Sequence, residues 1–535
     1  MTGPARLYRG ATVLAPERTP PGTAVAVADG RIVAVGPEAA CRAALPSDAV
    51  VVDLDGRVLA PGFVDAHLHP LVMCVFETTL VLDRATTVAD VLDAVADRAR
   101  ATPADRAIVG FQLDDERLAE RRLPTAAELD AAAPGRLVVL VRRDGHHAVA
   151  SRAALAAVGF DRPGSVPPGG EVVVGAGGPT GLVRETAVAP LLGLLPEVSF
   201  ADLEAGLASW RDRLLGQGVT AISAMCQTTA EGPSGEAGAL EALGWSALVD
   251  RVPFDVQTIL ITPDPAEVEH LRSTPLHRPG EGRRLDAVKL FLDGTLGGRT
   301  ACMHQPFGDH DGTGLPTLDP AEARRRVEAA HLAGLQVCIH AIGDRATRDA
   351  VDLIAGVVAA HPGPHRHRVE HASVLDDATV DRMSEVGVTA VVQPINLRSE
   401  AHWLARRVGE ERLGRTYPFR RLLDAGVAVA GSSDAPIEAT DVLAAIEAAV
   451  DRRLAPEQAV TGAEALALFT RGGSRARRTE DGLGAVEPGR RADLVVLDRD
   501  PTTVPAAEIS STRVLATVVA GTTHHRHPDH PELLP

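Results

Sequence analysis

A chain of 535 residues is too long for one ordinary core and implies a large domain with accessory units. Its 45% hydrophobic and 23% charged residues are those of a globular protein, and a formal net charge of -17 argues against a nucleic-acid partner. No stretch approaches the roughly 20 uninterrupted apolar residues of a membrane span, and Met1 to Arg18 lacks the apolar run of a secretory leader, so a cytoplasmic location is expected.

The N-terminal segment alternates short apolar runs with turns: Ala11 to Leu14, Ala24 to Val27 before Asp29-Gly30, Ile32 to Val35, and Val50 to Leu54 before Asp55-Gly56. Asp-Gly between alternating apolar runs predicts hairpins. Similar runs recur at Ala492 to Asp498 and Val514 to Gly521. Neither set makes a stable sheet alone, so residues 1–60 and 481–535 are expected to combine into one small β-sandwich.

Between them, apolar runs separated by helical stretches read as parallel α/β units. Eight strands are expected: Gly62 to His67, Val219 to Met225, Phe254 to Ile261, Ala287 to Leu292, Leu335 to His340, His367 to His371, Val388 to Gln393 and Val427 to Ser432. The fold class is therefore α/β, a (β/α)8 TIM-like barrel over residues 61–480. The interval of about 79–195 does not fit one repeat. It holds expected helices at Val88 to Arg100 and Ala126 to Ala133, a strand at Leu137 to Val141, and a Gly/Pro-rich stretch at Pro163 to Thr180, and reads as a subdomain inserted after the first barrel strand.

The chemistry sits at expected strand ends. In Asp65-Ala66-His67-Leu68-His69, extended geometry projects the two imidazoles to one side, where both reach one metal ion. His340 and His371 close two further strands, and Asp434 follows the eighth, all at the C-terminal rim where catalytic groups of this fold cluster. Four imidazoles beside a carboxylate describe a divalent metal site, zinc foremost, with one or two ions.

Lys289 is the one lysine in a chain with 54 Lys plus Arg residues, and it lies inside the apolar run of the fourth strand. A buried ammonium needs a partner or must lose its charge, and arginine cannot do the latter. Three readings stand: a carbamate formed with carbon dioxide and bridging two metal ions, an ammonium bonded to a substrate carbonyl, or a side chain reaching the barrel rim.

Five cysteines, Cys41, Cys74, Cys226, Cys302 and Cys338, show no C-x-x-C pair and read as reduced thiols. His524, His525, His527 and His530 crowd a Pro-rich tail and read as solvated, outside the site.

The ordered motifs P-G-F-V-D-A-H-L-H-P, V-K-L-F-L-D-G-T-L-G-G-R-T-A, I-H-A-I-G-D-R-A, R-V-E-H-A and G-S-S-D-A-P resemble the amidohydrolase superfamily, specifically the amidohydrolase 3 group that includes N-substituted formamide deformylases. The likeness covers nearly the whole chain. It implies that His67 and His69 bind one metal, that His340 and His371 bind a second or position water, that Lys289 is the carbamate bridge, and that Asp434 contacts metal and water. The chain departs from the family's pattern near His146 to Arg152, where an Asn is common, and at Phe469-Thr470, where Tyr-Thr is common.

Asp434 and His371 are then the catalytic candidates, Asp434 as the proton shuttle between water and leaving amine. His146, Asp293 and Arg299 are candidate substrate contacts, with loop anchoring the alternative for His146 and Arg299 and a turn role for Asp293. Gly294 to Gly298 and Asp311 to Gly314 are candidate cover loops. The expected partner is a small-molecule substrate, with a homodimer the candidate assembly. The readings that follow are an amide or N-substituted formamide hydrolase, a deaminase or cyclic-amide hydrolase on the same site, and, last, a non-catalytic binding protein.

Overall fold

The computed structural model describes residues 4–14, 23–115, 117–143, 147–162, 165–167, 170–185, 187–195, 198–232, 234–531 and 533. These form two compact units, one of Met1–Leu71 with Arg211–Pro535 and one of Val72–Trp210.

In the first unit, strands from both chain ends join one eight-stranded sheet. Leu494–Leu497 runs antiparallel to Val58–Pro61, from Leu494 opposite Pro61 to Leu497 opposite Val58. A single core holds Tyr8, Val25, Ile32 and Leu59 with Leu494, Val496 and Val518, so each chain end buries the other's apolar face. The Asp29-Gly30 hairpin forms, with φ of 50° and 72° and Ala28 opposite Arg31, as a primed turn requires. The Asp55-Gly56 expectation is corrected. The turn has positive φ, but Val50–Asp53 and Val58–Pro61 do not pair with each other; both lie parallel to Arg6–Val13, against its first and last residues respectively. Local turn chemistry was right, and burial of both strands against a third decided the pairing. His524 and His525 lie in the strand Thr522–Arg526, paired with Val514–Val519, with His524 exposed and His525 half-buried.

The barrel strands are Phe63–Leu68 (β1), Val219–Gln227 (β2), Asp255–Ile261 (β3), Arg283–Phe291 (β4), Gln336–Ala341 (β5), Arg368–His371 (β6), Thr389–Val392 (β7) and Val429–Gly431 (β8). Each pairs in parallel with its sequence neighbour. The chain after β8 closes the circle on β1: the Asp434 amide donates to the His67 carbonyl and the His69 amide to the Ala435 carbonyl, each at 2.8 Å. That closure is what sets Asp434 beside the two β1 histidines. Most barrel strand residues are buried, which explains why the strands read as continuous apolar runs rather than as alternations. The helix Pro320–Leu332 shows the local logic of the connections: Asp319 caps it by accepting from Ala321 and Glu322 amides, and Pro320 opens the first turn.

The second unit is a six-stranded mixed sheet. Val139, Val141, Ala148 and Ala150 enter one core and Val138, Leu140 and Val149 another, so alternation along the strands fills both faces. Helices Val88–Ala101 and Ala126–Ala132 each start at a threonine capping box. Within the Gly/Pro-rich stretch, Gly170–Gly175 pairs with Gly178–Glu185 as a hairpin.

Candidate metal centre

His67 and His69 leave β1 on one side, as extended spacing requires, and their Nε2 atoms lie 3.2 and 3.3 Å from Asp434 Oδ1. These three side chains offer ligand atoms all within 4.8 Å of one another. Lys289 Nζ sits 2.9 Å from His67 Nε2, and the His371 ring centroid is 5.2 Å from that of His67 and 4.4 Å from that of His340. Thus β1, β4, β5, β6 and the residues after β8 contribute to one cluster.

Two backbone conformations aim it. Glu370 and His371 are consecutive, so regular alternation would send them to opposite faces of β6. His371 instead has φ of 71° and Asp434 has φ of 58°, conformations that few non-glycine residues adopt and that cluster at functional sites.

The hydrogen bonds fix which imidazole nitrogen carries a lone pair. His67 Nδ1 donates to Glu370 Oε2 at 2.6 Å, and Glu370 is held in turn by Arg368, whose Nη2 lies 2.9 Å from the same oxygen. His340 Nε2 donates to the Gly294 carbonyl at 3.0 Å, which leaves Nδ1 unprotonated in the neutral ring. The Ser432 hydroxyl donates to the Val392 carbonyl, so it accepts from Gln393 Nε2 at 2.9 Å, and Gln393 Oε1 then accepts from His371 Nδ1 at 3.0 Å. His371 Nε2 is consequently a buried nitrogen with no hydrogen-bond partner. An anchored N–H opposite a free ring nitrogen is how proteins present histidine to a metal.

Burial disfavours the protonated form of three of the imidazoles. It lowers His69, takes His340 down to about 3 and puts His371 well below its usual value. Burial also lowers Lys289, although Asp434 and Glu370 oppose that. At Asp434 burial works to raise the carboxyl, but His67, His69 and His371 together hold it well below the ordinary range.

A match to the amidohydrolase family extends over residues 50–525. The chain belongs to the amidohydrolase family. It is a hydrolase of that family, acting on carbon-nitrogen bonds other than peptide bonds in small molecules. It is 30% identical to the N-substituted formamide deformylase of Arthrobacter pascens, over 93% of this chain and 94% of that one. It is 28% identical to the Arabidopsis thaliana protein LONG AFTER FAR-RED 3, over 93% of this chain and 87% of that one. The structure of an uncharacterized metal-dependent hydrolase from Pyrococcus horikoshii OT3 matches with a TM-score of 0.74 at 27% identity, over 94% of this chain and 99% of that one.

The family is metal-dependent, and the cluster fits a divalent ion: imidazole nitrogens, one low-lying carboxylate and an orphaned ring nitrogen at a common focus. Of the other residues singled out by sequence, Asp293 is buried and its carboxylate accepts from the amides of Cys302, Ile342 and Gly343 at 2.8 to 3.0 Å. It clasps the loop after β4 to the end of β5. Arg299 is bonded to Asp309, which also holds Arg407. His146 lies outside the described residues. The chain just beyond Gly294 to Gly298 is bonded to the segment around Asp311 to Gly314, Met303 donating to Thr313 and Leu315 to Thr300. Phe469, where the family commonly has Tyr, packs on Gly431, where a Cβ would come within 2.6 Å of its ring.

Glu370, Arg368 and Gln393 were not singled out in the sequence. Arg368 and Glu370 stand two apart in a short apolar strand, which puts both charges on one face and marks them as a buried pair. For Gln393, next to the end of β7, strand-end position was the only signal.

Beside Lys289 and His340 lies a cavity of about 380 Å³, whose lining includes Ile261, Phe291, Leu318 and the pair Glu231 and Arg326.

Proposed function

We propose that this protein hydrolyses the amide bond of small N-substituted amides, formamides included, at a zinc centre held by His67, His69, Lys289, His340, His371 and Asp434. The observation that carries the reading is the convergence of His67 Nε2 and His69 Nε2 on Asp434 Oδ1, with His67 anchored by Glu370 and His371 by Gln393. The 30% identity to the N-substituted formamide deformylase supports the choice of bond. A bound divalent ion supplies Lewis-acid polarisation of the carbonyl and makes water a competent nucleophile near neutral pH.

Asp434 takes the proton from the attacking water and delivers it to the leaving amine nitrogen, which keeps the amine from departing as an anion. Glu370 and Gln393 orient His67 and His371. Lys289, with its ammonium disfavoured by burial, reacts as the free amine with carbon dioxide, forming an N–C bond and releasing a proton to leave an anionic carbamate.

Product analysis tests the bond cleaved: an amine and a carboxylate in equal amounts support the proposal, while ammonia from a ring or exocyclic amine points instead to a deaminase. For the carbamate, Lys289→Ala should lose metal and regain part of its activity with short carboxylic acids, whereas Lys289→Arg should not. A carbon-13 spectrum at neutral pH showing only a plain amine or ammonium in the active, metal-loaded enzyme would reject the carbamate.

A further inference from the structure

The cavity beside Lys289 and His340 carries information about the substrate that the metal cluster does not. Ile261, Phe291 and Leu318 give it apolar walls, and its volume of about 380 Å³ lies within the range of small-molecule pockets. Among the described residues, its lining includes one lysine and one arginine, Lys289 and Arg326. Lys289 is directed to His67. Arg326 is clamped: both its terminal nitrogens reach the Glu231 carboxylate, the longer contact being 3.2 Å, and its Nε donates to Glu322 at 2.6 Å. The Arg326 side chain is 12% exposed and that of Glu231 is 54% exposed, so the guanidinium is fixed and the carboxylate covers it from the solvent side.

A two-oxygen clamp is the geometry with which arginine takes a substrate carboxylate. Here the protein's own Glu231 occupies it. Arg325 adds no spare cation, because its Nε and Nη2 both donate to Glu322, each at 2.7 Å. An anionic group entering the cavity would meet Glu231 and would have to displace it, whereas an apolar group meets Phe291 and Leu318 at no such cost.

We infer that this cavity receives the substituent of the substrate, that it selects an uncharged apolar group, and that Glu231 excludes carboxylate-bearing substrates by occupying Arg326. The substrate class is then neutral N-substituted amides rather than N-acyl amino acids. This rests on the proposed amide chemistry only for the identity of the bond. The cavity's preference is a separate matter of binding.

The test measures binding of N-cyclohexylurea and N-(4-carboxycyclohexyl)urea to the metal-loaded full chain by titration calorimetry. The wild type should bind the neutral urea at least about tenfold more tightly, and Glu231→Gln, by releasing Arg326, should narrow that ratio by about tenfold. Leu318→Trp, which fills the cavity, should weaken N-cyclohexylurea relative to N-methylurea by a similar factor. Equal or tighter binding of the carboxylated urea by the wild type overturns the inference, as does an unchanged ratio in Glu231→Gln or an equal loss of both neutral ureas in Leu318→Trp. Binding with the stated preference but no hydrolysis of the matching amides would remove the proposed function and leave this inference standing. Hydrolysis without the preference would do the reverse.

Discussion

Asp255 and Asp434, at opposite ends of the barrel strands, are each surrounded by basic groups. Asp255, the first residue of β3, is bonded by Arg477, Arg284 and Arg491 at 2.6, 3.2 and 3.1 Å. Asp434, beyond β8, faces His67, His69 and His371. Burial works to raise both carboxyls, and in both the surrounding groups win; Asp255 ends at about 2. The difference is in the neighbours. Guanidinium cannot give up its proton or offer a lone pair, so the Asp255 end is a fixed electrostatic lock. Imidazole and amine can do both, so the Asp434 end is available for metal and proton chemistry. A carboxylate set among basic side chains thus serves stability at the N-terminal ends of the strands and reaction at the C-terminal ends, as the barrel's division of labour demands.

Exchanging the roles by mutation tests that contrast. Asp434→Asn should lower kcat by roughly 10²–10⁴-fold, the usual worth of a positioned acid-base group, while the melting temperature stays close to that of the parent. An inactive variant that is also unfolded would make Asp434 another structural lock. Asp255→Ala should do the opposite, costing about 3–5 kcal/mol of stability in denaturant titrations because it strands the fully buried Arg477, while specific activity of the folded fraction is retained. Activity lost in step with Asp434→Asn would erase the distinction. The smallest effect lies in the acid profile. The Asp255 carboxyl is depressed from 3.8 to about 2 on folding, so its contribution is complete above about pH 4 and is lost as pH falls through about 2. Asp255→Asn should lack that segment of the stability curve, and an unaltered acid profile would show that the lock carries no such linkage.

How much of this was legible in the sequence also divides by region. All eight barrel strands could be placed because most are continuous buried runs, and a residue at a strand end has its location fixed by the fold alone. The gathering of His67, His69, Lys289, His340, His371 and Asp434 at one rim could therefore be expected from position and chemistry together. What escaped depended on partners distant in sequence. Glu370 meets His67 from 303 residues away, and Gln393 acquires its meaning from His371 and Ser432. The Asp55-Gly56 turn was misread as a hairpin because a turn signal says nothing of a third strand. Asp293 was expected at a turn or against substrate, and its bonds to the amides of Cys302, Ile342 and Gly343 add a clasp that the sequence did not signal.

The central claim is that the groups at the barrel mouth hold the metal on which turnover depends. The most direct measurement is elemental analysis of the full chain, purified without chelator, beside the His67→Ala, His69→Ala double variant, with turnover recorded on the same samples. The account predicts at least one divalent ion per wild-type chain, and a folded double variant that has lost metal and most turnover together. A double variant retaining the wild-type metal content and near-normal rate would contradict it.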